Sequence, residues 1–303
     1  MTRGAARTGG VGALLLAALL ALGGCAATET CTLHPVATLP MMPGVPLPLV
    51  AVQVNGGDAT MVLDTGAAGV LFTPSGAAVL GLRADPKRTA TATGVGGSVT
   101  AMGVTLERIS FGPSVIRNVP AEVLGQNLPR VGDVAIDGAL GMPVIDHYDL
   151  DLDMRARQAT LYAGEACRKS PPDWPGMQHI RARSLEGLFV IPVRVDGHAF
   201  TALVDSGSQE NVLFTDARGI AFARAHQLPG HALHGVGPRL AHAFMARFDR
   251  LEVGDETMRG VAMVVTERHT GTPDVILGQP FLARHHVWFS AQRGTLFIAP
   301  EPG

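Results

Sequence analysis

The sequence is short of charge, short of cysteine and short of long apolar runs, and each shortage removes a class of protein. Charged residues are 17% against 47% hydrophobic, which excludes a disordered, solvent-swollen chain. A formal charge of −2 leaves no basic field for nucleic acid. Only 3 cysteines occur, and none has metal-ligand spacing, so neither a zinc site nor a cofactor is expected. After residue 24 no apolar run approaches ~18 residues, the length needed to span a bilayer. Turn formers are plentiful instead. The 37 Gly and 21 Pro in 303 residues, with few long helical patterns, point to an all-β protein with room for two domains.

Residues 1–24 read as an export signal and stand outside the fold. Arg3 and Arg7 supply a positive start, and Val11 to Leu22 is a short apolar segment. Leu22-Gly23-Gly24-Cys25 then has the form of a bacterial lipobox, with Cys25 as the lipid-bearing mature N-terminus. An ordinary cleaved signal peptide is the alternative. Losing Arg3 and Arg7 moves the formal charge from −2 to −4. The expectation is an exported lipoprotein, anchored through its N-terminus on the periplasmic or cell-surface side of a bacterial membrane. Cys31 and Cys167 remain, either joined in a disulfide that closes a long loop or left as two buried thiols.

Residues 25–45 lack a period and read as a tether. From Leu49 the pattern is strand-like: Leu49 to Val54, then Asn55-Gly56 as a hairpin turn, then Ala59 to Leu63 running into Asp64. Val70-Leu71-Phe72-Thr73 follows, and a Thr-rich hairpin from Thr89 to Val104 carries Gly94, Val95, Gly96 and Gly97. Further strands are expected at Thr105–Phe111, Val119–Leu124, Tyr148–Leu152 and Ala159–Tyr162. Residues 166–184, with Pro171, Pro172 and Pro175, read as a linker between a lobe at 46–165 and a second at 185–299.

The second lobe repeats the first. Asp64-Thr65-Gly66-Ala67 returns as Asp205-Ser206-Gly207-Ser208, an offset of 141 (205 − 64). Asn55-Gly56 maps onto Asp196-Gly197 and Gly94-Val95-Gly96 onto Gly235-Val236-Gly237 at the same offset. Val-Leu-Phe-Thr at 70–73 recurs at 212–215, one residue late, and Asp137-x-x-Leu140-Gly141 returns as Asp274-x-x-Leu277-Gly278. The chain is an internal duplication.

Each copy places an acid on a tight turn at the end of an apolar strand. Two carboxylates a hydrogen bond apart cannot both ionise, so they share one proton and offer a base and an acid at one pH. That pairing suits hydrolysis of a peptide bond by water. Asp64 and Asp205 are the candidate catalytic pair, and which acts first as base stays open because the titration belongs to both. Gly66 and Gly207 let the backbone turn and present N–H groups, while Thr65 and Ser206 offer hydroxyls that bond between the loops.

On these motifs the chain resembles the retropepsin-like and pepsin-like aspartic proteases over roughly residues 46–299. The resemblance implies an all-β fold of two similar β-barrel lobes with the active-site cleft between them. It implies an aspartic endopeptidase acting on extended peptide or protein substrates, with a monomer sufficient for the dyad. Ala139-Leu140-Gly141 and Ile276-Leu277-Gly278 match the elements that thread behind the active-site loops. Gly94 to Gly97 and Gly235 to Gly237 match the substrate-covering flaps. Two departures stand out. Neither flap has a tyrosine, and Ala67 lacks the hydroxyl that Ser208 offers its own carboxylate. The second points to activity from mildly acidic towards neutral pH.

Plainer readings attach to several residues. Asp137 and Asp274 are expected to cap the turns that follow them. His226, His231, His234 and His242 read as solvated loop histidines rather than metal ligands, and His285-His286 as structural. The rival for the whole chain is a non-catalytic peptide-binding envelope lipoprotein on the same scaffold.

Overall fold

The computed structural model describes residues 35–94, 97–163, 174, 176–185, 187–229, 243–268, 273–290 and 293–300. In chain order the first part gives β1 (Pro35–Pro40), β2 (Leu49–Val54), β3 (Gly57–Leu63), β4 (Leu71–Phe72), α1 (Pro74–Val79), β5 (Asp85–Gly94), β6 (Gly97–Phe111), β7 (Ser114–Leu124), β8 (Gly138–Leu140) and α2 (Met142–Ile145). Next come β9 (Tyr148–Asp153), β10 (Gln158–Ala163), β11 (Gln178–Arg181) and β12 (Arg183–Leu185). The second part repeats the pattern as β13 (Leu188–Val195), β14 (His198–Val204), β15 (Val212–Thr215), α3 (Ala217–Arg224), β16 (Phe244–Val253), β17 (Glu256–Glu267), β18 (Val275–Leu277) and α4 (Gln279–Leu282). It ends with β19 (His285–Ser290) and β20 (Thr295–Pro300).

Each lobe is a sheet closed into a six-stranded barrel, so the all-β, two-lobed expectation holds. The hairpin turns close the barrels as well as reversing the chain. Asn55 adopts φ 52° and Asp196 φ 49°, a left-handed state that Asn and Asp tolerate better than other side chains. The freed Oδ1 of Asn55 accepts from Glu107 N (2.9 Å) and Arg108 N (3.1 Å) on β6. Asp196 Oδ1 accepts from Arg250 N (2.7 Å) on β16. These bonds stitch the β2–β6 and β13–β16 seams. Alternate residues of the barrel strands then fill one buried core, from Val50, Met61 and Phe72 to Ile191, Val204 and Leu277.

Three boundaries differ from the sequence reading. The tether does not reach residue 45, because Pro35–Pro40 is a strand that buries Ala37 and Leu39 and pairs with β10. The linker does not reach residue 184, because Gln178–Arg181 pairs with β20 and Arg183–Leu185 with β13. Proline-rich surroundings hid both short alternations. β1, β10, β9, β19, β20 and β11 form one six-stranded sheet with strands from both halves, so the lobes share a common base. Nor is Thr105–Phe111 a separate strand. It continues β6, so the first flap hairpin is an extension of the barrel wall.

Candidate active site

In each lobe a parallel strand pair delivers the acid. β8 runs beside β3, and Asp64 N donates to Leu140 O at 2.9 Å. β18 runs beside β14, and Asp205 N donates to Leu277 O at 3.0 Å. The glycine after each leucine is required by contact, not by dihedral. A Cβ on Gly141 would stand 2.1 Å from Gly69 O, and one on Gly278 would stand 2.3 Å from Glu210 O. The turn backbone therefore lies directly on the glycine, and Met142 N and Gln279 N clip it there through Ala67 O and Ser208 O (2.9 Å each).

Asp137 and Asp274 do not cap the turns after them. Asp137 Oδ2 accepts from Thr60 N (2.9 Å) and Asp274 Oδ2 from Thr201 N (2.8 Å), which extends the β3–β8 and β14–β18 ladders by one rung. Their backbones do the same, since Asp137 N donates to Thr60 O and Asp274 N to Thr201 O.

The two turns meet through side chains. Thr65 N donates to Ser206 Oγ and Ser206 N to Thr65 Oγ1, both at 3.0 Å. The same hydroxyls donate onward, Thr65 Oγ1 to Val204 O (2.8 Å) and Ser206 Oγ to Leu63 O (2.6 Å). Both residues are fully buried, so among the described residues each amide depends on the opposite hydroxyl for its hydrogen bond.

Above this clasp Asp64 and Asp205 face each other within hydrogen-bond contact and remain partly exposed to solvent. Gly66 N donates to Asp64 Oδ1 (2.9 Å), and Gly207 N to Asp205 Oδ1 (2.8 Å). A Cβ on Gly66 would stand 2.2 Å from Asp205 Cγ, and one on Gly207 2.5 Å from Asp64 Cγ. Each glycine thus yields its side-chain space to the opposite carboxylate. Burial pushes the Asp64 carboxyl above its ordinary value, although amides of Gly66, Ala67 and Gly207 favour its charge. Burial and the nearby Asp64 charge hold the Asp205 carboxyl well above its ordinary value. A like-charged neighbour in a desolvated site keeps one proton on the pair.

The C-terminal turn carries polar supports that the sequence reading missed. Asn211 Oδ1 accepts from Gly278 N (3.0 Å), and Gln279 Nε2 donates to Ser206 O (2.7 Å). Met142 occupies the matching place in the first lobe. The only sequence signal was the extra residue in the second turn. Ser208 is also a correction. Its hydroxyl donates to Glu210 O at 2.8 Å and not to the Asp205 carboxylate, so the expected difference from Ala67 is absent.

Of the flap residues, Gly94 and Gly97 face each other at the end of the β5–β6 hairpin, below a Thr93–Ser98 hydroxyl contact of 3.0 Å. Val95, Gly96, Gly235, Val236 and Gly237 lie outside the described residues, as do Cys25, Cys31, Cys167, His231, His234 and His242. His285 and His286 lie within β19, His285 bonded to Glu256 (2.8 Å) and His286 to Asp151 (2.5 Å).

No curated protein matches this chain significantly. A family model described as aspartyl protease matches residues 50–144 and again residues 191–281. The two matched segments begin 141 residues apart (191 − 50), the offset that separates Asp64 from Asp205. The chain belongs to the aspartyl protease family, in its internally duplicated, retropepsin-like form with one copy in each barrel lobe.

Proposed function

We propose that this protein is an aspartic endopeptidase in which Asp64 and Asp205 work as one acid–base pair. The observation that carries the reading is the contact between two raised carboxyls across a lobe interface fixed by Thr65 and Ser206. The ionised carboxylate takes a proton from water as its oxygen attacks the peptide carbonyl carbon. The protonated carboxyl gives its proton to the carbonyl oxygen. Transfer of a proton to the amide nitrogen then lets the C–N bond break, giving a carboxylic acid and an amine, and the pair again holds one proton.

Side chains beside the dyad support an extended substrate with apolar residues at the cleaved bond. Val62 and Leu203 lie two positions before the acids, on the same strand faces. They belong to small buried apolar clusters, with Leu49 and Ala139 in one lobe and with Val190 and Ile276 in the other. Tethering through lipid on Cys25, outside the cytoplasmic membrane, belongs to the same reading and rests on the N-terminal sequence. Loss of metabolic palmitate labelling in Cys25→Ala tests it.

The test of the chemistry is cleavage of a diverse peptide library by the fragment that follows Cys25, from pH 3 to 8. Asp64→Asn and Asp205→Asn should each lose at least about 100-fold in kcat/KM, with the fold intact. Folded wild-type protein that binds peptides yet cleaves none at any pH would instead make it a binding lipoprotein.

A further inference from the structure

A cavity of about 280 Å³ opens beside the C-terminal barrel. Its walls include Arg183 and Leu185 from β12, Val190 from β13, Thr201 from β14, and Pro273 and Asp274 before β18. Strand alternation ties it to the dyad. Thr201, Leu203 and Asp205 share one face of β14, while Ala202 and Val204 point into the barrel core. Leu203 pairs with Ile276, and Thr201 exchanges hydrogen bonds with Asp274. Moving out from Asp205, this face therefore carries first the buried Leu203 and Ile276, then the cavity lining. Four residues of strand place Thr201 roughly 13 Å from Asp205, the span of three to four residues of an extended peptide.

The charge of this cavity is decided by what is already paired. Asp274 spends both carboxylate oxygens, Oδ2 on Thr201 N (2.8 Å) and Oδ1 on Arg268 Nη1 (2.5 Å). Arg183 makes no ion pair or side-chain hydrogen bond among the described residues, and its side chain is exposed. Two guanidiniums against one carboxylate leave one positive charge open to a ligand. In the first lobe the nearby guanidinium, that of Arg157, is turned onto backbone, donating to Met42 O (2.7 Å) and Leu47 O (2.9 Å). At the offset of 141 the residue matching Arg183 is Met42 (183 − 141), packed with Val45 and Leu128 against a buried apolar cluster.

We propose that this cavity is a specificity subsite that takes an acidic side chain, Asp or Glu, three to four residues from the cleaved bond, with Arg183 as its charged partner. The inference rests on the proteolytic reading of the dyad for its register but not for its charge. Because Met42 stands at the matching position of the first lobe, the subsite also fixes which way a peptide lies across the dyad.

The test pairs cleavage with binding. Peptides with an apolar centre and a single Glu, Gln or Lys scanned along their length are given to wild type, Arg183→Gln and Arg183→Glu. Their affinity for the Asp64→Asn protein, with and without the Arg183 changes, is measured in parallel. Glu at one position three or four residues from the centre should favour wild type by about 3- to 10-fold over Gln. The preference should shrink in high salt, vanish in Arg183→Gln and turn towards Lys in Arg183→Glu. Arg181→Glu, the same charge change two residues away on β11, should keep it. An Arg183-dependent Glu preference in binding without any cleavage would uphold the subsite and remove the protease reading. Cleavage with no Glu preference, or one that survives Arg183→Glu, would leave the protease standing and overturn the subsite. Absence of both binding and cleavage overturns both.

Discussion

Thr65 and Ser206, 141 residues apart, each give a backbone amide to the other's hydroxyl at 3.0 Å. The symmetry makes each hydroxyl both acceptor and donor to the opposite lobe, Thr65 Oγ1 donating to Val204 O and Ser206 Oγ to Leu63 O. Replacing either residue by alanine orphans an amide and a carbonyl that no water reaches. Each orphaned group costs about 1–3 kcal/mol. Thr65→Ala and Ser206→Ala should therefore lower Tm by several degrees each, measured by calorimetry. Because both act on one network, the double mutant should lose clearly less than the sum. Thr65→Ser keeps the hydroxyl and should recover most of the stability.

The raised Asp205 carboxyl makes stability depend on pH, with a definite sign. Its ordinary value is 3.8, and burial with the neighbouring Asp64 charge lifts it well above that in the folded state. Between those two values the folded chain binds more protons than the unfolded chain, so wild-type stability falls as pH rises through the window. Asp205→Asn removes the repulsion between the carboxylates and most of that slope. The variant should melt above wild type at neutral pH, and the difference should close below about pH 4. Equal melting curves at pH 7 would contradict the shared proton. On the proteolytic reading, the rate should likewise hold into mildly acidic and neutral pH, since among the described residues neither carboxylate receives a side-chain hydroxyl.

Much of this was legible in the sequence because duplication converts a short motif into a measured offset. Asp-Thr-Gly alone is common, but Asp64 with Asp205 and Asn55 with Asp196 at an offset of 141, followed in the same order by Gly141 with Gly278 at 137, specify two strand-turn units and their supports. Less visible were features set by long-range pairing. Strand β1 lacks a long apolar run, and its proline-flanked Ala37 and Leu39 reach the core through long-range pairing with β10. The partners of Asp137 and Asp274 lie 77 and 73 residues away, on strands that no local pattern connects to them. The Ser208 hydroxyl bonds to Glu210 O within its own turn, an outcome settled by turn geometry rather than residue type.

Gly278 and Gly141 carry the turns by leaving room for them. An added Cβ would press to 2.6 Å from Ser208 O and 2.3 Å from Glu210 O in one lobe, and to 2.4 Å from Ala67 O in the other. These are backbone atoms and cannot rotate aside. Gly278→Ala should cost about 1–3 kcal/mol of stability and displace the Asp205 turn. A shift of about 1 Å at the dyad would lower kcat roughly 100-fold. Gly69→Ala, whose Cβ meets Leu71 Cδ2 at a comfortable 3.6 Å, should cost far less stability. Thermal melts and steady-state kinetics on the two variants separate these outcomes.

Gln279 supplies the sharpest test of why the lobes differ. Its Nε2 donates to Ser206 O at 2.7 Å, fixing the peptide between Ser206 and Gly207 whose amide then reaches Asp205 Oδ1. Met142 has no polar group for the matching role, and Asp64 is still held by Gly66 N. Gln279→Met would make the second lobe chemically like the first, but its turn is one residue longer and would keep a buried Ser206 carbonyl without a donor. Loss of about 1–3 kcal/mol follows from that orphaned group. Because the bond acts on the turn rather than on a bound peptide, kcat should fall about tenfold while KM changes little. Shortening the turn by deleting Gln209 in the same variant should restore part of the lost stability if length is what Gln279 supports. A double variant less stable than Gln279→Met alone would show that the glutamine serves the dyad and not the longer loop.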